Sequence, residues 1–512
     1  MKIVSASQTH KIDEYTISHE PVTSIDLMER AATAFCDWFM QYYFNVNRIK
    51  IVCGPGNNGG DGLAIARILH SYSYKVDVYT VLPTEKTSKD FDINLQRLPS
   101  SISVQQITSQ SELLQFHAED IIIDALFGSG LNRPLDGLAA DIVQAINQAK
   151  TIIAVDIPSG LFADTNNSKE DVIIKASQTI AFQLPKLSFM LPQNAEFVGD
   201  WHLVDIGLHP TAIAQASTNY FYTDTSEAIT YLKKRSKFSH KGSNGHALLI
   251  AGSYGMMGAA ILSAQACLRS GAGKLTLHAP KHANDLIQST IPEALFSADP
   301  DEYLSTTEWT EDLLKNYSAI GIGPGLGVGA KVLFSIRSII EHSSSIPLII
   351  DADGINNLST PEGRPLLEKL PANTILTPHP KEFQKLLNRS WQNDYEKLDL
   401  LREFSVKHQV IVCLKGAHTA VALTDGSIHF NSTGNPGMGT GGSGDVLTGI
   451  ITALLAQKYS PTHAALFGVY LHGLAGDIAA KEKSIYAMIA SDLTDNLPKA
   501  FLAITDLSTQ KS

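Results

Sequence analysis

Nowhere in this 512-residue chain does an apolar stretch run uninterrupted for the ~20 residues that a bilayer-spanning helix needs. The first residues, Met1-Lys-Ile-Val-Ser-Ala-Ser-Gln-Thr-His-Lys11, lack the apolar core of a secretory leader, so nothing points out of the cytoplasm. Cysteine is scarce. Cys36, Cys53, Cys267 and Cys413 are widely spaced among apolar neighbours and form no C-x-x-C, the pattern of reduced, buried thiols in a cytosolic protein. No basic block stands out, and 40 Lys+Arg against 51 Asp+Glu leave a formal net charge of −11. That balance argues against an electrostatic grip on nucleic acid but leaves room for small anions held at local sites. Short internal repeats and low-complexity tracts are absent as well. What is present is enough apolar material for large cores: 44% hydrophobic residues at a mean hydropathy near zero. The length suggests two to four domains, and two large α/β domains are the simplest division.

Short apolar runs alternate with glycine-bearing loops and helical stretches. In the first half the runs are Ile49–Cys53, Lys75–Leu82, Ile121–Leu126, Thr151–Asp156 and Gln178–Phe182. Such alternation predicts a mainly parallel sheet covered on both faces, with ligands at the carboxyl ends of its strands. The segment Ser7–Tyr43 has helical periodicity and is expected to pack outside the sheet. The rhythm lapses after Pro210, which puts a boundary near 210–235. A second series starts at His246–Ala251 and runs through Leu275–His278, Ala319–Ile322, Pro347–Asp351, Thr374–Thr377 and Val410–Leu414. Leu423-Thr-Asp-Gly-Ser-Ile428 predicts a hairpin around its Asp-Gly turn.

The densest chemical signal is Gly434-Asn-Pro-Gly-Met-Gly-Thr-Gly-Gly-Ser-Gly444, followed by Asp445 and an apolar helical run. Glycines 437, 439, 441, 442 and 444 let backbone N–H groups converge, and a helix starting there adds its positive end, so the loop is a phosphate cradle. Asp445 would repel a phosphate unless a proton donor or a metal lies beside it, and reads as the base for a substrate hydroxyl. Read as a mere capped turn, the loop would cost too much backbone entropy.

Gly54-Pro-Gly-Asn-Asn-Gly-Gly-Asp-Gly62 follows a strand and satisfies G-x-G-x-x-G, yet it is not an ordinary dinucleotide loop. Asn57 and Asn58 add side-chain amides, and Asp61 places a carboxylate where a pyrophosphate should rest. Asp124 and Asp156 end two further strands. Asn58, Asp124 and Ser159 offer hard oxygen ligands suited to an alkali or alkaline-earth cation. Lys186, after a fifth strand, is placed to act with Asp156 on a proton. Any one of these acids alone would more often be a cap or turn residue. Their recurrence at successive strand ends favours one shared pocket.

The glycine loop, Asp124-Ala-Leu-Phe-Gly-Ser-Gly-Leu131 and Val155-Asp-Ile-Pro-Ser-Gly-Leu161 together resemble the NAD(P)H-hydrate epimerase domain over residues 1–215. The resemblance implies a Rossmann-like three-layer domain that interconverts the R and S forms of hydrated NADH or NADPH at nicotinamide C6. It implies that Asn57, Asn58, Gly59, Gly60 and Asp61, with Gly128, Ser129, Gly130, Leu131, Asn132, Arg133 and Pro134, hold substrate. Asp156 would sit at the reacting end, with Lys186 as a candidate for proton transfer, and Asn58, Asp124 and Ser159 would bind K+. Leu187-Ser-Phe189 stands where the family pattern has a glycine soon after the lysine.

In the second half, Gly252–Ala260, Gly321–Gly327, Asp351–Gly354, Thr377-Pro-His-Pro-Lys-Glu382 and Lys415-Gly-Ala-His-Thr419 stand at expected strand ends. Lys415 supplies a cation near the phosphate loop, and His379 lies between two prolines that fix its backbone. With the loop 435–445, these segments resemble the ADP-dependent NAD(P)H-hydrate dehydratase domain, a ribokinase-like α/β domain, over residues 225–505. The resemblance implies that Ala260, Gly327, His379 and Asp445 contact the hydrated nicotinamide nucleotide. Lys415, Gly416, Ala417, His418, Thr419 and Gly444 would hold the nucleotide phosphates with Mg2+. Lys381 replaces the glycine common after His-Pro. The two domains on one chain resemble the bifunctional NAD(P)H-hydrate repair enzymes, which act on hydrated NADH and NADPH as free small molecules; a homo-oligomer is expected. The residues alone leave ADP and ATP open as donor. They also leave a rival: a ribokinase-like kinase for a small alcohol, fused to a Rossmann-like module that binds a nucleotide or a protein without catalysis.

Overall fold

A computed structural model describes residues 1–512 except 45, 47, 83–85, 113, 114, 511 and 512. The chain divides into two compact units, 2–220 with 393–395, and 221–392 with 396–512 and residue 1.

The N-terminal unit opens with helices α1 (Ala6–His19) and α2 (Ser24–Tyr42), started by capping boxes at Ser5 with Gln8 and at Thr23 with Asp26. Strand β1 (Arg48–Cys53) feeds helix α3 (Asn57–Ser71), and six strands follow: β2 (Lys75–Val81), β3 (Ser103–Ile107), β4 (Ile121–Ala125), β5 (Thr151–Val155), β6 (Gln178–Phe182) and β7 (Asp200–Val204). Their order is β3-β2-β1-β4-β5-β6-β7, with every neighbouring pair parallel. Successive side chains of β1 enter opposite cores, Ile51 packing with Phe35, Leu63 and Leu69, and Val52 with Ile122, Ile142 and Val143. Burial on both faces is why β4 and β5 read as continuous apolar runs. The chain builds outward from β1 to β3, then returns to the other side of β1 with β4. That reversal opens a crevice between the loops after β1 and β4, where doubly wound sheets bind ligands.

The C-terminal unit repeats this logic on a larger sheet. Its strands from residue 246 onward are β8 (His246–Ile250), β9 (Lys274–Pro280), β10 (Leu295–Asp299), β11 (Ala319–Ile322), β12 (Leu348–Ile350), β13 (Ile375–Leu376), β14 (Ile411–Leu414), β15 (Ala420–Ala422) and β16 (Ile428–Asn431). They lie in the order β16-β15-β14-β13-β12-β11-β8-β9-β10. Pairing is parallel from β10 to β14 and antiparallel from β14 to β16. The turn of the β15–β16 hairpin uses Gly426 at φ +86°, as the Asp-Gly pair predicts. Here the reversal lies between β8 and β11, so the loops 251–256 and 323–329 face one crevice. Helices α4 (Met257–Arg269), α5 (Ala352–Leu358), α6 (Pro380–Leu387), α7 (Ser443–Ala456), α8 (Pro461–Lys483) and α9 (Ala490–Gln510) cover the sheet. Helix α7 is buried along nearly its whole length. It packs so tightly on α4 that a Cβ at Gly449 would come within 2.1 Å of the Ser263 carbonyl oxygen.

Candidate active sites

In the N-terminal unit the glycine loop works first by close approach. A Cβ at Gly54 would lie 1.9 Å from the Leu126 oxygen, one at Gly59 would lie 1.8 Å from the Gly54 oxygen, and one at Gly62 would strike Ala125 and Cys53. These contacts draw the start of α3 against the ends of β1 and β4, turning Asn57, Asn58 and Asp61 toward a cavity of about 460 Å3. Gly59 and Gly60 are therefore buried packing residues behind the cavity wall. Gly128, Ser129, Gly130 and Leu131 line the cavity. Asn132, Arg133 and Pro134 continue the same loop as exposed residues beyond it.

Asp156 follows β5 in the left-handed region, φ +65°, a conformation that Asp adopts more readily than most residues but at a cost. There its carboxylate accepts from the Phe182 N–H at 3.2 Å and forms a nearly buried ion pair with the Lys186 ammonium. Asp124, wholly buried, accepts from the Ser159 N–H at 2.8 Å, the Ser159 hydroxyl at 2.7 Å and the Leu126 N–H at 3.2 Å. Burial pushes its carboxyl up to about 6, against the pull of the Ser159 bonds. Beside it, the buried Nδ2 of Asn58 has no hydrogen-bond partner among the described residues.

Helix α1 supplies a wall that the motif reading misses. Thr9, His10 and Asp13 line the cavity. The helix is tied down where its Thr16 hydroxyl accepts from the His209 N–H at 3.0 Å. Burial and then the charge of Asp156 push the Asp13 carboxyl up to about 7, and burial with Asp156, Asp13 and Asp90 pushes Asp61 well above the ordinary range. Carboxyls such as Asp13 and Asp61, whose protonated form is favoured by burial and neighbouring negative charge, are suited to moving protons.

The C-terminal unit places its glycine loop at the head of α7. Gly442, at φ +93°, makes the turn into the helix. Asp477 on α8 holds the loop by accepting from the Gly434 N–H and the Asn435 amide, both at 3.0 Å. Behind the loop, His472 donates from Nε2 to the Ser443 oxygen at 2.9 Å, and its burial lowers it to about 4, so it stays neutral. Lys415, Gly416, Ala417, His418, Thr419, Gly439 and Gly444 line a cavity of about 680 Å3. Lys415 pairs with Asp351 at 3.1 Å, and the other oxygen of Asp351 accepts from the Thr448 hydroxyl at 2.7 Å. Burial opposes the charge on Lys415, but Asp351, Glu382 and Asp445 outweigh it and raise its value. Asp445 is half-buried, and burial and the charge of Asp351, against Lys415, push its carboxyl up to about 6.

His379 caps α6: its Nδ1 accepts from the N–H groups of Lys381 and Glu382 at 3.1 and 3.3 Å. Its proton therefore sits on Nε2, and the ring borders the same cavity as Lys415. Gly327, at φ +78°, borders a separate cavity of about 400 Å3 and donates its N–H to Asp353 at 2.8 Å. The charge of Asp353 adds to the rise of the Asp445 carboxyl, and Asp445 itself lines neither space. Ala260 is wholly buried at the start of α4 and lines neither cavity. Among the described residues no three His, Cys, Asp or Glu side chains gather as a metal cage.

Comparison with known proteins divides the chain in the same sense. The family model described as NAD(P)H-hydrate dehydratase matches residues 247–499, and that of the YjeF-related protein N-terminus matches residues 24–188. The bifunctional NAD(P)H-hydrate repair enzyme Nnr of Moorella thermoacetica is 33% identical, over 97% of this chain and 96% of that protein. The protein of the same name from Thermofilum pendens is 34% identical over 99% and 97%. Among solved structures, the ADP/ATP-dependent NAD(P)H-hydrate dehydratase of Bacillus subtilis, co-crystallised with ATP and Mg2+, is 31% identical. It covers 56% of this chain and 100% of its own, with a TM-score of 0.49.

Proposed function

We propose that this chain, which belongs to the family of bifunctional NAD(P)H-hydrate repair enzymes, restores hydrated NADH and NADPH by one reaction in each unit. The N-terminal unit interconverts the R and S hydrates at C6. The C-terminal unit dehydrates the S form at the expense of ADP.

The observation that carries the reading is Asp445: a carboxyl pushed up to about 6, directly after Gly444 of the phosphate loop, where an added Cβ would lie 3.2 Å from Lys415 Nζ and 3.7 Å from Asp351. Hydroxide is a poor leaving group, so dehydration needs activation. Asp445 accepts the C6 hydroxyl proton as that oxygen bonds to the terminal phosphorus of ADP and AMP departs. The ring nitrogen lone pair then expels inorganic phosphate from C6, and loss of the C5 proton restores the dihydropyridine. Lys415 and the loop N–H groups hold the charge that gathers on the transferring phosphoryl group. Mg2+ would share that charge. The loop N–H groups, which gather phosphates, and the nearby Asp445 carboxylate suit an ion that is bound chiefly by phosphates. His379, with its proton on Nε2, donates to the substrate side of the cavity.

In the N-terminal unit, C6 bears both a hydroxyl and the ring nitrogen, so opening and reclosing that centre inverts it. Asp156 takes a proton at one wall. Asp13, which still carries its proton near neutrality, faces the same space from α1. K+ would supply the charge that Asp124 lacks, held by Asp124, Ser159 and Asn58. A wholly buried carboxylate beside the Ser159 hydroxyl, with the Asn58 side-chain oxygen as a further candidate ligand, fits such an ion. The four unpaired, buried cysteines suit the cytoplasm.

The test follows the near-ultraviolet absorbance of reduced nicotinamide while purified protein acts on mixed R and S hydrates with Mg2+ and K+, adding ADP, ATP or neither. Nearly complete recovery with one nucleotide supports both activities and names the donor. A halt after the S fraction would sink the epimerase assignment. No recovery, with a stable phosphorylated alcohol formed from another substrate, would favour the small-alcohol kinase.

A further inference from the structure

Two tyrosines of the C-terminal unit stand in water beside the crevice. Tyr254 is 69% exposed and Tyr303 57% exposed. Their rings meet at 87° with centroids 5.3 Å apart, and His282 lies 5.4 Å from Tyr254. They form one rim of the 400 Å3 cavity whose other wall carries Gly327 and Val328.

This corner is built rather than loose. The Tyr254 N–H donates to the Tyr303 oxygen at 3.0 Å. The loop carrying Tyr303 is gathered by Asp299, itself 1% exposed. Asp299 accepts from the N–H groups of Asp301, Thr306 and Thr307 at 2.9, 2.7 and 2.9 Å, from both threonine hydroxyls at 2.9 Å, and from His278 at 3.0 Å. A fixed pair of perpendicular rings offers a flat heterocycle one face to stack on and one edge to abut. The nearby ammonium groups do not compete for the role. Lys331 and Lys281 are paired with Asp301 and Glu302 at 3.2 and 3.5 Å, which leaves ring stacking as the main feature of the rim.

The position also suits a long substrate. The Tyr254 loop sits at the reversal between β8 and β11, and across the cavity Gly327 donates to Asp353, two residues from the Asp351 that would lie 3.7 Å from a Cβ at Gly444. The donor nucleotide has its own space beyond the glycine loop. A dinucleotide whose hydrated ring reaches Asp445 must lay its other ring elsewhere, and the cavity at Gly327 lies in the crevice of the same sheet. On the dehydratase reading given above, we infer that Tyr254 and Tyr303 bind the adenine ring of the hydrated dinucleotide and so determine its affinity.

The test compares full-length wild-type, Tyr254→Ala, Tyr303→Ala and Tyr254→Phe proteins on two S-form substrates with saturating ADP: hydrated NADH and hydrated reduced nicotinamide mononucleotide, which lacks the adenosine half. Each alanine variant should raise KM for hydrated NADH about tenfold with kcat unchanged. Neither should alter KM for the mononucleotide, and Tyr254→Phe should match wild type. An unchanged KM for hydrated NADH, an equal rise for the mononucleotide, or a rise confined to ADP would overturn the assignment. Wild-type protein inactive on both substrates would overturn the dehydratase reading itself, and the ring site with it.

Discussion

As the proposed base, Asp445 would act only when ionised, and burial with the charge of Asp351 pushes its carboxyl up to about 6. Dehydration should therefore climb as pH rises through about 6 and level off above it. Asp445→Asn should abolish that climb and slow turnover by about a hundredfold or more while the hydrate still binds, as single-turnover and equilibrium-binding measurements would show. Lys186 is a different case, since its side chain is only 6% exposed against Asp156. Lys186→Ala strands a carboxylate, and urea unfolding should show a loss of about 3 to 5 kcal/mol. Epimerisation unchanged in that variant would remove Lys186 from the reaction. Asp445 announces itself by following a glycine loop, and Asp156 and Lys186 by coming just after strand ends. Asp13 does not: it sits in mid-helix with no glycine nearby, and only the packing of α1 over the crevice turns it inward. Asp477 and His472 are equally silent, because they support the phosphate loop from a helix that follows it in sequence.

At the scale of elements, the glycines separate into those that packing forbids to change and those it tolerates. Gly62→Ala would push a methyl to 2.6 Å from Ala125 Cβ and 2.7 Å from Cys53 Sγ, forcing α3 off the sheet. We expect a cost of about 1 to 3 kcal/mol and weakened binding in the N-terminal cavity. Gly130→Ala, with open space around it, should unfold like wild type in the same denaturant titration. Asp299 holds its loop differently. Burial alone would raise its carboxyl, yet the bonds from His278 and the loop hold it well below the carboxylate range. A depressed value means that its stabilisation is full above the unfolded aspartate range, about 4, and fades as pH falls below it. Asp299→Ala should lower the melting temperature more at neutral pH than in strong acid. The strands that the alternation predicts all form, because each lies in the sheet interior and carries enough buried apolar residues to be read. Among the strands that it leaves unmarked, β3, β7 and β10 lie at sheet edges, with exposed or half-exposed residues such as Ser103, Trp201 and Leu295. An edge strand has one neighbour and one wet side, so it need not carry the apolar signature.

For the whole molecule, each unit has its own mainly parallel sheet, its own core and a cavity at its own strand reversal. Calorimetry should show ADP, at about a hundred times its dissociation constant, raising the unfolding transition of the C-terminal unit by about 2.7 kcal/mol in stability while leaving that of the N-terminal unit in place. Asp445→Asn protein should still equilibrate the R and S hydrates without regenerating any reduced nicotinamide. Carrying both units on a single chain also has a consequence for dosage. Translation can never deliver one activity in excess of the other, so the supply of isomerising and of dehydrating sites is locked at one to one. A cell adjusts the capacity of the whole repair by varying a single transcript.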